Sequence, residues 1–392
     1  MLEKVRVLFV HNRYKQAGGE DSVVKMESQM LKRNGHDVEL LEFDNTEIKS
    51  FLSKIKTFFS VIYSKSSKKG IRRTLENSDF DLIHVHNFFP LISPSIYDLA
   101  NEYDLPVVQT LHNYRIICPG ALLMKNSKVC EKCITGNYMH SVLYRCYRKS
   151  FFGSLSLAMM DYVNRKRNTW NTKIDKVICL TEFAKSKFIE GGISEDLITV
   201  KPNFIEYRGD NLESTRENLG LFVGRLSHEK GIAKLIQMHD YLDGKVLIVG
   251  DGPLINKLKG LDKFIVYGKQ NSEQVNQLMK KASFLIFPSI WYEGLPMTII
   301  EAFSNRLPVV ASKLGAMKEI IKHEATGLLF NLIDLQDGID NINRAFNNFA
   351  LMRDYGNAAY CQYLNQYTDK VNLKQMLEIY KEVLEKRKNC EE

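Results

Sequence analysis

Short apolar runs closed by turn residues alternate along this chain with stretches of helical periodicity, in two successive series, and no other feature limits its fold so strongly. In the first half the runs are VRVLFVHN (residues 5–12), HDVELLEF, FDLIHVHN, LPVVQTLHN and DKVICLT, each reading as a strand. A Gly18-Gly19 turn follows the first, and SVVKMESQMLKRNG then reads as a helix closed by Gly35. A second series begins near residue 219 with LGLFVGRLS, KVLIVGDGP, KFIVYG, SFLIFPS and LPVVAS. Strands that alternate with helices form parallel sheets, so the expected class is α/β with two doubly wound, Rossmann-like domains. The polar stretch PNFIEYRGDNLESTREN reads as the linker, giving a first domain over residues 1–203 and a second over 204–369. After Gly327 the pattern is helical to the end, and a final amphipathic helix over about 370–392 is a candidate to pack back on the first domain.

Composition agrees with a two-domain soluble protein: 392 residues, 44% hydrophobic and 26% charged, with no apolar run near the roughly 18–20 residues that cross a bilayer. Charges interrupt MLEKVRVLFV, which reads as a strand rather than a leader, and seven cysteines without an export signal point to a reducing, cytoplasmic setting. The net charge of +8 sits in residues 1–201, which carry 30 Lys and Arg against 22 Asp and Glu, while the remainder has 24 of each. Eight basic residues and no acid fall between Ile48 and Leu75, where Phe51, Leu52, Ile55, Phe58 and Ile62 recur at helical spacing. Such a helix suits an anionic membrane surface, and equally suits the flank of a sheet with a solvated basic face. YRCYRKSFF is a second basic and aromatic segment, and nothing resembles a nucleic-acid motif.

The second series carries most of the candidate chemistry. In GLFVGRLSHEKG a strand ends at Gly224, and Arg225 and Lys230 follow where side chains project above the carboxyl edge of a sheet; a diphosphate is the ligand two such cations suit. VGDGP supplies Gly250 and Gly252 to a neighbouring turn, but Ile255 stands where G-x-G-x-x-G needs its third glycine, so a dinucleotide is not expected. In YEGLPMTIIEAFS, Pro296 suits the first turn of a helix. Glu293 then precedes that helix, Glu301 lies in its second turn, and Gly294 and Leu295 form a loop at the positive end of the helix dipole.

Taken in order, V-G-R-L-S-x-E-K-G, V-G-D-G-P and P-S-x-x-x-E-G-L-P-x-x-x-x-E-A, with L-P-V-V-A-S and G-L-L-F behind, resemble glycosyltransferase family four, the retaining nucleotide-sugar transferases of GT-B fold. G-G-E-D, G-H-D-V, H-V-H-N, T-L-H-N, L-T-E-F and P-N-F-I-E extend the resemblance over nearly the whole chain. It implies that Arg225 and Lys230 clamp the donor diphosphate, that Glu301 holds the ribose, and that Glu293 lies at the transferred sugar with Gly294, Leu295 and Pro296. Gly18 and Gly19 would approach the phosphates, His112 the sugar or acceptor, and His86 and Asn113 the acceptor side. Three positions depart from the pattern: Asn113 where Asp is common, His228 where Pro is frequent, and Arg306 where a helix-ending Gly is usual.

The implied activity is retaining, metal-independent hexosyl transfer from a UDP- or GDP-sugar to a growing lipid-linked saccharide of a bacterial capsule, exopolysaccharide or O-antigen. It would take place at the inner face of the plasma membrane, with residues 48–75 toward the lipid. An inactive sugar- or nucleotide-binding protein and a nucleotide-sugar epimerase of similar architecture are the alternatives.

Three patterns bear on metal binding. Asp79-Phe80-Asp81 opens a strand at the end opposite to the expected site, and His84 and His86 share one strand face without an evident third ligand. Cys118, Cys130, Cys133 and Cys146 follow C-x11-C-x2-C-x12-C, which suits either a structural zinc site or reduced thiols in a loop. Catalysis itself calls for no cofactor.

Overall fold

The computed structural model describes residues 4–13, 18–45, 58, 60–207, 209 and 216–391, the last three by backbone alone. The chain divides into two compact units, Met1–Lys125 with Cys130–Pro202 and Asn372–Glu392, and Asn203–Val371 with Asn126–Val129.

The first unit is built on a parallel sheet of β1 (Arg6–Arg13), β2 (Asp37–Asp44), β3 (Leu82–Asn87) and β4 (Val107–Leu111), continued after the two-residue strands β5 (Met124–Lys125) and β6 (Lys128–Val129) by β7 (Lys176–Cys179) and β8 (Ile198–Val200). Its order is β2-β1-β3-β4-β7-β8, so the winding reverses between β1 and β3. Val7, Phe9, Leu82, Val108 and Ile178 pack with Met376, Ile379, Tyr380 and Val383 of the helix Asp369–Glu391. Each such side chain contributes about 1.5–3 kcal/mol by leaving water.

The second unit holds β9 (Leu219–Val223), β10 (Lys245–Val249), β11 (Phe264–Gly268), β12 (Phe284–Phe287), β13 (Val309–Ser312) and β14 (Gly327–Phe330). Their order is β11-β10-β9-β12-β13-β14, all parallel, with the reversal between β9 and β12. In a doubly wound sheet that reversal leaves a crevice at the carboxyl edge, because the helices of the two halves cover opposite faces.

Several elements differ from the sequence reading. Gly327–Phe330 is an edge strand on β13, and the helical tail starts at Leu335; a four-residue run is too short to show its period. Gly327 permits the pairing, since a Cβ there would lie 2.1 Å from the Val309 carbonyl oxygen. The first helix starts at Gly19, three residues early, because the Asp21 carboxylate accepts the Gly18 N–H at 2.8 Å and closes the first turn. Strands β5, β6 and β8 had no alternating pattern to announce them. Of the basic stretch 48–75, residues 48–57 and 59 lie outside the described residues; in the helix Lys65–Glu76, Lys68 and Arg72 both pair with Glu102. Asp81 accepts the Arg6 N–H at 2.6 Å at the start of β3, a structural use of the D-x-D pattern.

Candidate active site

In the second unit the loops after β9, β10 and β12 are pressed together. The Gly224 N–H donates to the Val249 carbonyl at 3.0 Å, and the Leu226 N–H to the Asp251 carbonyl at 2.9 Å. A Cβ on Gly250 would stand 1.9 Å from the Gly224 carbonyl oxygen, and one on Gly252 would stand 2.6 Å from that of Leu226. The glycines of V-G-D-G-P therefore serve loop-on-loop contact. Gly231 is more constrained still: its φ is +75°, and a Cβ would meet the Pro288 carbonyl oxygen at 1.7 Å. That contact, with the Ile290 N–H donating to the Glu229 carbonyl at 3.0 Å, fixes the β9 loop against the end of β12.

Lys230 and Glu293 meet across this seam. Glu293 Oε1 accepts from Lys230 Nζ, Ser289 Oγ and Trp291 Nε1, each at 2.8 Å, and the residue is only 5% exposed. A carboxylate removed from water needs such donors, and three of them fix its direction. The Lys230 ammonium also lies 5.5 Å from the Trp291 ring centroid and 5.8 Å from that of Phe287. Ser312 holds the loop from beneath by donating to the Ser289 carbonyl at 2.6 Å. Arg225 is exposed and pairs at 3.1 Å with Glu229 Oε1, which also accepts from Ser227 Oγ at 2.6 Å. Both cations are thus held at the carboxyl edge of β9, each leaning on a carboxylate. Sequence reasoning gave no role to Ser289 or Glu229, which stand in the quoted motifs, nor to Trp291, at an open position of P-S-x-x-x-E.

The helix Met297–Ser304 begins as expected, although Pro296 caps it from outside rather than entering its first turn. Gly294 and Leu295 lie in the preceding loop, and Glu301 sits half-buried on the helix, on a different element from Glu293. Arg306 has φ +53°, the left-handed conformation that a glycine takes without strain; its guanidinium stacks 3.8 Å from the Tyr360 ring centroid.

In the first unit a pocket opens at the carboxyl ends of β3 and β4, lined by His86, Asn87, Phe89, Thr110, His112 and Asn113 among others. Three of the sequence candidates, His86, His112 and Asn113, share it. His86 Nδ1 and His112 Nε2 are 3.2 Å apart, and His86 Nε2 lies 3.7 Å from Glu27 Oε2. The nearby carboxylate favours a proton on His86 Nε2, so His86 Nδ1 accepts from His112 Nε2–H and leaves His112 Nδ1 as an acceptor. Burial holds the His86 imidazole well below its ordinary range, with the neighbouring His112, His11 and Lys201 adding to the effect, and burial lowers His112 to about 4. Both rings are neutral at physiological pH.

Glu27 supplies the third ligand that His84 and His86 lacked in the sequence, and the donor atoms of all three lie within 4.8 Å of one another. The His84 nitrogens and Glu27 Oε1 are already engaged, whereas His86 Nε2 and Glu27 Oε2, 3.7 Å apart, make no hydrogen bond. Lys201 Nζ sits 2.7 Å from Glu27 Oε1 as the local cation, and the His84 nitrogens meet Tyr380 Oη and Thr110 Oγ1, each at 2.8 Å. At the end of β1, His11 Nε2 bonds Asp21 Oδ1 at 2.8 Å, and the other oxygen of Asp21 holds Gly18 at the start of its helix. Gly18 and Gly19 are so placed, while residues 14–17 before them lie outside the described residues. Lys201 and Glu27, 174 residues apart, carried no joint signal in the sequence.

Comparison with known proteins bears on this arrangement. The family model described as Glycosyltransferase Family 4 matches residues 17–208, and that described as Glycosyl transferases group 1 matches residues 203–362. An uncharacterized glycosyltransferase of Methanocaldococcus jannaschii is 27% identical over 90% of this chain and 91% of its own. The UDP-Gal:alpha-D-GlcNAc-diphosphoundecaprenol alpha-1,3-galactosyltransferase of Escherichia coli is 23% identical over 85% of this chain and 86% of its own. The Anabaena protein HepE in complex with UDP superposes with a TM-score of 0.67 at 17% identity, over 96% of this chain and all of that one.

Proposed function

The chain belongs to glycosyltransferase family four, with the GT-B fold of two Rossmann-like domains, and on that premise we propose that it moves a hexosyl group, with retention, from a UDP- or GDP-sugar to a lipid-linked saccharide. The observation that carries this reading is the clasp of Lys230, Glu293, Ser289 and Trp291 at the reversal of the second sheet, with Arg225 beside it. Departure of a nucleoside diphosphate leaves negative charge on its phosphate oxygens. Two fixed cations stabilise that charge as it develops, without moving at the moment of reaction. Lys230 and Arg225 fill the role a divalent ion plays elsewhere, Glu293 directs Lys230 and faces the sugar, and Glu301 holds the ribose. In the first unit, the His112 Nδ1 lone pair accepts from a sugar or acceptor hydroxyl. HepE has been solved with UDP and with UDP-glucose, which supports a nucleotide-sugar donor. The E. coli relative, by its name, acts on a sugar carried by diphosphoundecaprenol, which supports a lipid-linked acceptor.

A surface of the first unit suits an acceptor held at a membrane. Phe152, Leu155, Met159 and Tyr162 recur along one face of the helix Phe151–Lys166, and Phe152 is 70% exposed. Leu143, equally exposed, lies on the helix before it. Residues 122–167 hold nine Lys and Arg against Glu131 and the buried Asp161, so an apolar stripe is framed by positive charge. This pairing fits the inner leaflet, where anionic headgroups attract the cations and the apolar side chains enter the interface. No described helix is long and apolar enough to cross a membrane.

A thermal-shift panel of nucleoside diphosphates and nucleotide sugars tests the donor assignment. UDP or GDP at about 100 times its Kd raises stability by about 2.7 kcal/mol. No shift with any member of the panel would overturn the assignment.

A further inference from the structure

Between the end of β4 and the helix Phe151–Lys166 the chain forms only β5, β6 and the short helix Met139–Leu143. Cys133, Tyr138 and Val142 of this excursion pack with Ala158 and Leu155 of the helix that follows. The excursion's side chains Ile117, Leu123 and Ile134 are fully buried, but it has little regular structure, and small units of this kind are ordinarily stapled by disulfides or a metal. The backbone is also locally strained: Ala121, Leu123, Arg145, Arg148 and Lys149 all adopt positive φ. Such residues cost about 1–3 kcal/mol each in bulky cases and persist where surrounding structure over-determines them.

Four free cysteines from this excursion draw together. A Cβ placed on Gly120 would lie 3.8 Å from the Cys118 sulfur and 3.4 Å from the Cys146 Cβ, so these two side chains flank one glycine. Cys133 is within electrostatic reach of Cys118, Cys130 and Cys146, and Cys146 is within reach of Cys130. None is in a disulfide; Cys118 and Cys133 are buried, and Cys130 and Cys146 are half-buried. Backbone N–H groups already point at sulfur: those of Gly120 and Leu123 at Cys118, and that of Ser141 at Cys133. N–H groups aimed at sulfur spread the charge of a metal-bound thiolate and fix its direction. Lys125 near Cys146 and Lys132 near Cys130 add positive charge at the rim.

We propose that Cys118, Cys130, Cys133 and Cys146 bind a structural zinc ion, with Cys130 and Cys133 as the C-x2-C arm of a tetrahedral site. On binding, four thiols give their protons to solvent and the ion takes four sulfur ligands, with no change of oxidation state. Among the described residues no three of these sulfurs lie within 4.8 Å of one another, so metal binding includes rotation of the thiols between staggered rotamers to close the set. The ion ties the excursion to itself just beyond His112 and Asn113, and so fixes one wall of the first unit's pocket, to which Arg115 and Ile116 also belong.

Elemental analysis of the full-length protein, purified without chelator, tests this directly. About one zinc per chain is expected, with exchange for cobalt producing the sulfur-to-cobalt charge-transfer and tetrahedral bands of a thiolate site. Cys130→Ser should lose the metal, and Cys361→Ser, at an exposed cysteine outside the cluster, should retain it. If Cys130→Ser does not fold, the metal content and cobalt spectrum of the unaltered protein decide. Metal-free protein in which these four cysteines react as thiols, or in which mass spectrometry finds them paired as disulfides, overturns the proposal.

Discussion

Lys230 and Glu293 stand 63 residues apart in sequence and 2.8 Å apart in space, joining the loop after β9 to the loop after β12 where the second sheet reverses. If this pair grips the leaving diphosphate and the sugar, Lys230→Ala and Glu293→Gln should each lower transfer by about 10²-fold or more. Circular dichroism of both variants should stay native. Near-normal transfer by both, in an assay of donor consumption with a membrane-derived acceptor, would sink the assignment.

Gly231 makes a steric prediction that does not depend on function. Its φ of +75° and the 1.7 Å approach to the Pro288 oxygen leave no space for a methyl group. Gly231→Ala should therefore cost about 3 kcal/mol or more, read as a lower urea midpoint, since backbone must move to admit it. Gly18→Ala, where an added Cβ meets no atom within 4 Å among the described residues and φ is extended, should be close to neutral.

The histidines of the first unit make stability depend on pH. Burial holds His84 and His86 well below the ordinary imidazole range, and His112 at about 4. The unfolded rings titrate near about 6.5, so between about 6.5 and 4 the unfolded chain binds protons that the folded chain refuses. The stabilisation is complete above the unfolded value and is lost as pH falls toward the folded one. Melting temperature should drop as pH is lowered from about 7.5 to 5, less steeply in His112→Asn; a flat profile would contradict neutral, buried rings.

The apolar stripe beside the basic cluster predicts reversible membrane binding. The full chain should co-sediment with vesicles rich in phosphatidylglycerol, less so as salt is raised, and weakly with phosphatidylcholine alone. Replacing Phe152, Met159 and Tyr162 together by Ser should reduce binding about tenfold or more without lowering the melting temperature, because these side chains are exposed. Unchanged binding by the triple variant would move the contact elsewhere.

Much of the second unit was legible before any coordinates. A strand end followed by Arg225 and Lys230, and a proline fixing the start of the Met297–Ser304 helix, are local signals whose physics acts within a few residues. The strands also declared themselves, because buried parallel strands are nearly continuous apolar runs. GLLF did not, since four residues carry no period, and its place on β13 depends on a glycine meeting a carbonyl across the ladder.

The sequence by itself determined the α/β class, the two sheets and the residue types available at each carboxyl edge, since periodicity and turn chemistry are short-range. Only the tertiary structure decided which of those residues meet. It set Lys230 on Glu293 with Ser289 and Trp291, gave Glu27 Oε1 to Lys201, and drew Cys118 and Cys146 to either side of Gly120. Each is a contact between distant segments, with a partner fixed by sheet order and by the few positions at which glycine lets two backbones touch.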